Sequence, residues 1–300
     1  MTRPLTIAQG RAAFDVIDLA YGPQDGAMEA LDDVRLSYVG RRSGAPCGGA
    51  MLVAPIGCGK TRTVEMLAAR VEASCGLPSG SKPVLLVQTP TEGTTGSIPT
   101  ALLRALGYPR PDLGRAELRW SKALRLMVDA NVQLVVFDEF NRTHRNPTMS
   151  RPIATSIRER IMDSGVAPVA IVGSREADLV LKSCPELAQR LDDRIPLEPM
   201  AWYDDQDRGI FLELLRDLDL AMIDAGLVRS SNLAAEATAE LLAEASSGTI
   251  RSLMKIVRSA LGPCIARGGD RITHDDLGEA TEAIAVASGF IASNPFGRCS

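Results

Sequence analysis

Aromatic residues are scarce, 4% of the 300 positions, so the core of this chain has to be largely aliphatic. Histidine is scarcer still. With only His144 and His274, and six cysteines (47, 58, 75, 184, 264 and 299) that form no C-x-x-C pair, the spacing of a protein-ligated metal site is missing. The cysteines read as reduced thiols, mostly core or incidental. The N-terminal MTRPLTIAQGRAAFDVIDL holds no apolar stretch of the signal-peptide type, and no later run approaches bilayer length. A cytoplasmic protein with no membrane partner is the expectation. Internal repeats and low-complexity tracts are absent as well. The net charge of −4 excludes a polycation, so any contact with nucleic acid must come from local basic patches.

What the chain does have is a globular balance, 45% hydrophobic and 23% charged, over a length that favours one large domain plus a smaller one. Residues 7–40 carry apolar positions at helical spacing in two pieces separated by GPQDG, and end in the turn-rich RRSGAPCGG. Short apolar runs then alternate with helical stretches: MLVA (51–54), PVLLVQT (83–89), QLVVFD (133–138), PVAIVGS (168–174) and RIPLEP (194–199). Near-continuous apolar strands between helices indicate a parallel sheet covered on both faces. From Trp202 onward only helical patterns remain, at 203–224, 230–246, 249–266 and 274–288. The third opens at Gly248, and Thr273 with Asp276 has capping-box spacing at the start of the last. The expected division is a helical segment over 1–40, an α/β domain over 41–200, a helical lid over 201–290 and a tail over 291–300.

Ala54-Pro55-Ile56-Gly57-Cys58-Gly59-Lys60-Thr61 follows the first strand and opens a helix. This is the order a P-loop needs: glycines let backbone N–H groups curl round phosphates, a lysine reaches the β- and γ-oxygens, and a hydroxyl serves Mg²⁺. Ala54 stands where the pattern has its first glycine, which is tolerable if its φ is negative. Pro55 to Arg62 are the candidate nucleotide-binding residues. A second signal is Leu134-Val135-Val136-Phe137-Asp138-Glu139, a buried strand ending in paired carboxylates, the Walker B arrangement. Asp138 joins Thr61 as a candidate Mg²⁺ residue, and Glu139 suits orienting a water onto the γ-phosphate, which favours ATP hydrolysis.

Strand, P-loop, Walker B and helical tail, in that order, resemble an AAA+ ATPase: a P-loop α/β domain followed by a small all-helical lid. The resemblance implies further roles. Ser174, at the end of PVAIVGS, falls at the sensor 1 position. PELAQRLDDRIPL resembles the arginine-finger segment, with Arg190 the first candidate and Arg194 the fallback. SSGTIRSLMKIV resembles the sensor 2 opening of a lid helix and puts Arg251 at the nucleotide. Each has an ordinary alternative: Ser174 capping the next turn, Arg190 pairing with Asp192 or Asp193, and Arg251 as a solvated helix residue.

The segments VQTPTEGTTGSIPTALLRALGYPRP, VVFDEFNRTH and VAIVGSREADLVLKSCPELAQRLDDRIPLEPM narrow the resemblance to TniB/TnsC/MuB-type ATPases of DNA transposition, and to TniB in particular. It spans roughly residues 30 to 290, departing at Ala54 and in the proline-interrupted RTHRNPTMSRP. It implies ATP and Mg²⁺, double-stranded DNA bound without sequence preference, a homo-oligomeric ring or filament, and a DDE-type transposase with a TniQ-like adaptor as partners.

Two basic runs are candidates for touching DNA. Arg115, Arg119 and Lys122 recur at i, i+4 and i+7, with Trp120, Leu124, Met127 and Val128 expected on the opposite face of the same helix. Arg142, Arg145, Arg151, Arg158 and Arg160 against Glu159 make the second run, and Arg145 is the candidate contact there. A solvated helix face is the ordinary reading of such a run. No zinc finger, recognition helix or aromatic stacking pattern is visible, so contacts are expected to be to phosphates. Two other functions share the core: a replication-initiator or helicase-loader ATPase, and a nucleotide-gated scaffold with little turnover. The former usually continues into a winged-helix domain, for which little sequence remains after the last helical pattern. A GTP-binding protein is disfavoured by the missing NKxD motif.

Overall fold

Five short runs rich in Val, Leu and Ile supply the strands of one sheet in the computed structural model, which describes residues 5–19, 21–40, 44–74, 76–91, 94, 96–145 and 147–297, without the side chains of 144, 145 and 147–149. They are β1 (Gly49–Val53), β2 (Val84–Gln88), β3 (Leu134–Asp138), β4 (Val169–Gly173) and β5 (Leu191–Ile195), in the spatial order β2-β3-β4-β1-β5. All four pairings are parallel. Every residue of β3 and β4 is buried, so both faces of the sheet are covered, the arrangement that near-continuous apolar strands require.

The fifth strand lies three residues earlier than RIPLEP suggests. Asp192, Asp193 and Arg194 are exposed between buried Leu191 and Ile195, a pattern that reads as a turn in isolation. An edge strand tolerates it, because only one side pairs and charged side chains there discourage unwanted strand addition. Its register against β1 shifts between Gly49 and Ala50. Gly49 is fixed by close approach: a Cβ there would meet the Val169 carbonyl oxygen at 2.0 Å.

The chain separates into two compact units, Pro23–Leu197 and Met1–Gly22 with Glu198–Ser300. In the first, the sheet is joined by α2 (Gly22–Tyr38), α3 (Lys60–Ala73), α4 (Ser97–Ala105), α5 (Ala116–Asp129), a 3₁₀ turn (Phe140–Arg145), α6 (Pro147–Ile157, continued by a π turn to Met162), α7 (Glu176–Ser183) and the single turn α8 (Pro185–Ala188). Its core is aliphatic with few rings: Leu52, Leu67, Leu85, Leu102, Leu103, Met127 and Leu134 are fully buried beside Phe137 and Phe140. Each such side chain contributes roughly 1.5–3 kcal/mol by leaving water.

In the second unit, α1 (Ile7–Asp15) packs on α11 (Ile250–Ala266), alongside α9 (Asp205–Asp224), α10 (Glu236–Ser246) and α12 (His274–Thr281, continued by a π turn to Val286). The expected segment 1–40 is therefore divided. Its first helix belongs with the C-terminal helices, held by Arg258 on Asp15 at 2.5 and 2.7 Å and by Gly10, where a Cβ would lie 2.2 Å from Ile265. Its second helix belongs with the sheet. GPQDG is not a break but the first turn of α2, a position that accepts proline because the N–H it lacks has no helical partner anyway. The Thr273–Asp276 capping box is present, and a second, Thr6–Gln9, opens α1. Among the described residues no helix is long and apolar enough to cross a membrane.

Candidate nucleotide site

The strand order puts β4 between β1 and β3, so the carboxyl ends of three adjacent strands deliver the P-loop, the Walker B pair and Ser174 to one edge of the sheet. After β1 the backbone turns through Gly57 (φ +98°) and Gly59 (φ +92°), conformations that a side chain would strain. Ala54 is fully buried and is not among the positive-φ residues, so its methyl group is accommodated. Gly59 then caps α3 with no side-chain hydrogen bond, leaving the first turn of a 14-residue helix without a side-chain cap. Uncapped N–H groups beside two left-handed glycines are a cradle for an anion.

Lys60 is buried, and its Nζ donates to the carbonyls of Ala54 at 2.8 Å and Pro55 at 2.7 Å. Thr61 Oγ1 donates to Asp138 Oδ2 at 2.8 Å, closing a gap of 77 residues. Asp138 is 1% exposed, and its other oxygen accepts the N–H of Glu139 at 2.8 Å. A buried carboxylate tied to a P-loop hydroxyl, beside a buried ammonium and the anion cradle, fits the phosphates and Mg²⁺ of a nucleotide. Ile56 stands 73% exposed on the loop, Cys58 is buried and in no disulfide, and Arg62 is exposed 3.9 Å from Glu65.

Glu139 has φ +56°, a left-handed conformation uncommon for a side-chain-bearing residue and costing of order 1–3 kcal/mol. Its carboxylate lies 3.7 Å from Arg142 Nε and accepts a long bond, 3.5 Å, from Asn141 Nδ2. Asn141 Oδ1 in turn accepts the N–H of Ser174 at 3.1 Å. One amide thus spans the Walker B glutamate and the end of β4. The Ser174 hydroxyl donates to the Glu176 carboxylate and does not cap α7, whose N-cap is Arg175 with no side-chain hydrogen bond. Three residues here escape sequence reasoning. Gln88, register partner of Asp138, donates to its Oδ2 at 3.3 Å; Asn141 sits two residues past the glutamate; Gln24 of α2 donates to the Gly59 carbonyl at 3.3 Å. Only the position of Gln88 at a strand end beside Walker B could have pointed to it.

The candidate arginines have these partners within the chain. Arg190 pairs with Asp163 at 2.8 Å, not with Asp192 or Asp193, and Arg194 pairs with Asp178 at 3.1 Å. Arg251 is exposed on the first turn of α11, in the other unit. On α5 the basic stripe is not an open face. Arg119 donates to Thr100 of α4, and Lys122 donates to the Tyr108 hydroxyl at 2.8 Å while lying 4.5 Å from the ring centroid. Trp120 and Met127 are buried as the pattern requires, whereas Val128 is 66% exposed: α4 and the turn after it cover the side of α5 that carries Arg119 and Lys122. Arg115 alone of the three is exposed, at the N-cap. The second basic run dissolves into ion pairs, Arg142 with Glu139, Arg151 with Glu186, Arg158 with Glu159 and Asp163, and Arg160 with Glu117. The Arg145 side chain lies outside the described residues.

A five-stranded parallel sheet in this order, with a P-loop after its first strand, paired carboxylates after its third and a helical C-terminal region, defines the AAA+ fold of P-loop ATPases. The chain belongs to the TniB family: the model for the bacterial TniB protein matches residues 24–200. Solved structures repeat the fold at low identity. The Aeropyrum pernix ORC2 protein, as ADPNP-ADP complexes, superposes with a TM-score of 0.68 at 17% identity, over 92% of this chain and 72% of its own. The A. pernix ORC1 protein in complex with DNA gives 0.64 at 15%, over 91% and 69%. The Thermotoga maritima RuvB Holliday junction branch migration motor gives 0.52 at 16%, over 89% and 70%. No curated protein sequence matches.

Proposed function

We propose that this chain hydrolyses ATP to control its assembly on double-stranded DNA, where it recruits or regulates a transposase. The observation that carries the nucleotide half is the Thr61–Asp138 hydrogen bond beside Lys60, which gathers the hydroxyl, carboxylate and ammonium of an ATP site from two distant motifs. Lys60 exchanges its loop carbonyls for phosphate oxygens, and the N–H groups at the start of α3 receive the remaining charge. Thr61 and Asp138 are the residues that would hold Mg²⁺, which when bound would supply charge neutralisation at the phosphates. Glu139 orients the attacking water and takes its proton as the new P–O bond forms and ADP leaves. Ser174 and Asn141 keep the end of β4 in register with Glu139. The AAA+ resemblance gives Arg251 the sensor 2 role, and Arg190 acts across an interface on the site of a neighbour, stabilising charge that a monomer leaves exposed.

The DNA half is supported by family membership and by the relatives, since the ORC1 protein was solved with DNA and RuvB is a Holliday junction motor. A chain of net charge −4 holds DNA weakly as a monomer, so attachment comes from many copies whose few contacts add through effective concentration. ATP bridging subunits aligns them; hydrolysis releases them. A DDE-type transposase and a TniQ-like adaptor are the partners this timing serves. The test is duplex binding by fluorescence anisotropy with a non-hydrolysable ATP analogue, with ADP and with no nucleotide. Tight, sequence-indifferent binding with the analogue, weaker binding with ADP and a steep loss with salt are expected. Equal affinity in all three states overturns the switch.

A further inference from the structure

The helical unit carries a groove of about 500 Å³ between the segment that leads into α9 and the last turns of α10. Its walls include Glu198, Met200, Trp202, Tyr203, Glu240 and Glu244. Apolar surface is held in place here before anything binds. Met200 N–H donates to the Gly248 carbonyl at 3.0 Å, and a Cβ on Gly248 (φ +66°) would lie 1.9 Å from the Met200 carbonyl oxygen, so segment and helix end meet backbone to backbone. Ala201 N–H donates to Asp207 Oδ2 at 2.8 Å, and the Trp202 ring stands edge-on to Phe211 at 6.2 Å. A wall fixed at these points loses little freedom on binding. Tyr203 is the exception, 92% exposed, with no hydrogen bond or ring contact among the described residues.

Charge decides what suits this groove. Three carboxylates line it, and no lysine or arginine does among the described residues. Glu240 and Glu244, both exposed, stand about one turn apart on α10, whose sequence EATAELLAEAS holds no basic residue. Like charges at that spacing oppose helix formation, and Glu244 adds to the negative end of the helix dipole. A cation from outside relieves both conflicts. The same carboxylates repel the phosphates of a nucleic-acid strand. Spacing narrows the cation further: four residues of helix rise about 6 Å, and alternate side chains of an extended chain repeat at about 6.6 Å.

We infer that this groove docks an extended segment of a partner protein, with arginine or lysine at alternate positions facing Glu240 and Glu244, and with apolar side chains between them on Met200, Trp202 and Tyr203. Glu198 carries the acidic lining to the opposite wall. Exposed tyrosine and tryptophan beside a fixed apolar surface are the residues that most often anchor such contacts. Such docking needs neither ATP nor DNA and does not depend on the nucleotide reading above.

The test is anisotropy of a fluorescein-labelled octapeptide of alternating leucine and arginine, titrated with the full chain. Binding should weaken about tenfold when Glu240→Gln and Glu244→Gln are combined, and about fivefold in Tyr203→Ala. Glu29→Gln with Asp33→Asn, exposed carboxylates four residues apart on α2, should leave it unchanged. Thermal unfolding separates recognition from structure: the Glu240, Glu244 double variant, relieved of its charge conflict, should melt no lower than the parent. A lower melting temperature in step with the lost affinity shows that these carboxylates serve the fold and overturns the groove. No binding of the arginine octapeptide, or equal binding of one with glutamine in place of arginine, overturns the cationic segment as occupant. Equal weakening by the α2 pair reduces the effect to overall charge and overturns the site. A parental dimer in sedimentation that the groove variants dissociate assigns the groove to a second copy of this chain and overturns a separate partner.

Discussion

At the P-loop and Walker B junction, a lysine, a threonine and an aspartate bond to one another's loops and strands with little solvent between them. On α5, a few ångströms of sequence pattern look just as purposeful, but Arg119 and Lys122 end on Thr100 and Tyr108. Both regions give their charges polar partners. The first holds its charges around a cradle made by backbone, the second uses its charges to tie two helices together. The difference teaches that a motif whose chemistry depends on backbone shape survives folding as read, while a charge run acquires its meaning only from what packs beside it.

The sharpest way to break the comparison is at the junction. Lys60→Ala should abolish nucleotide binding measured by calorimetry, and Glu139→Gln should keep binding while lowering turnover by on the order of 10²-fold or more. Parental turnover in Glu139→Gln would remove the water-positioning assignment. Next in size is complementation between subunits. In an equal mixture of Arg190→Ala and Lys60→Ala chains, roughly a quarter of head-to-tail interfaces join an intact lysine to an intact arginine, and activity should return to that extent. No recovery from co-assembling mutants would show that Arg190 does not act in trans.

On α5 the expected effects are on stability. Arg119→Ala removes a charge-assisted bond to Thr100 and should lower unfolding free energy by about 1.5 kcal/mol, read by denaturant titration. Lys122→Ala should cost about 0.5–1 kcal/mol through the lost Tyr108 contact and leave duplex affinity as it was. A large loss of DNA binding with unchanged stability would restore the open basic stripe.

The smallest expected effect lies in the helical unit. Burial pushes the Asp276 carboxyl up, but hydrogen bonds from Arg267 and Thr273 outweigh it and hold the group below its usual value. A carboxylate with a lowered folded pKa contributes stability that is complete above the unfolded value of about 4 and is lost as pH falls through the folded value. Asp276→Asn should therefore lower stability at neutral pH and flatten its acid limb, the variant and parental curves converging as pH falls through the folded value; an unchanged acid limb would show the pairing contributes nothing there.

Much of this could be read along the chain. The central strands follow from near-continuous Val, Leu and Ile, which only a doubly covered parallel sheet accepts. The P-loop turn is local, since Gly57 and Gly59 are where the backbone adopts positive φ. The Thr273–Asp276 box closes within one helical turn. These features depend on neighbours a few residues apart, so sequence by itself determined them. The tertiary structure alone decided that Gln88 and Asn141 stand at the Walker B carboxylates, that α1 packs on α11, that Asp163 takes Arg190, and that Arg151 meets Glu186. Those contacts are set by which strands lie side by side and which helices cover them. A charged side chain spends itself on whichever partner the packing brings near, and that partner can be any distance away in the chain.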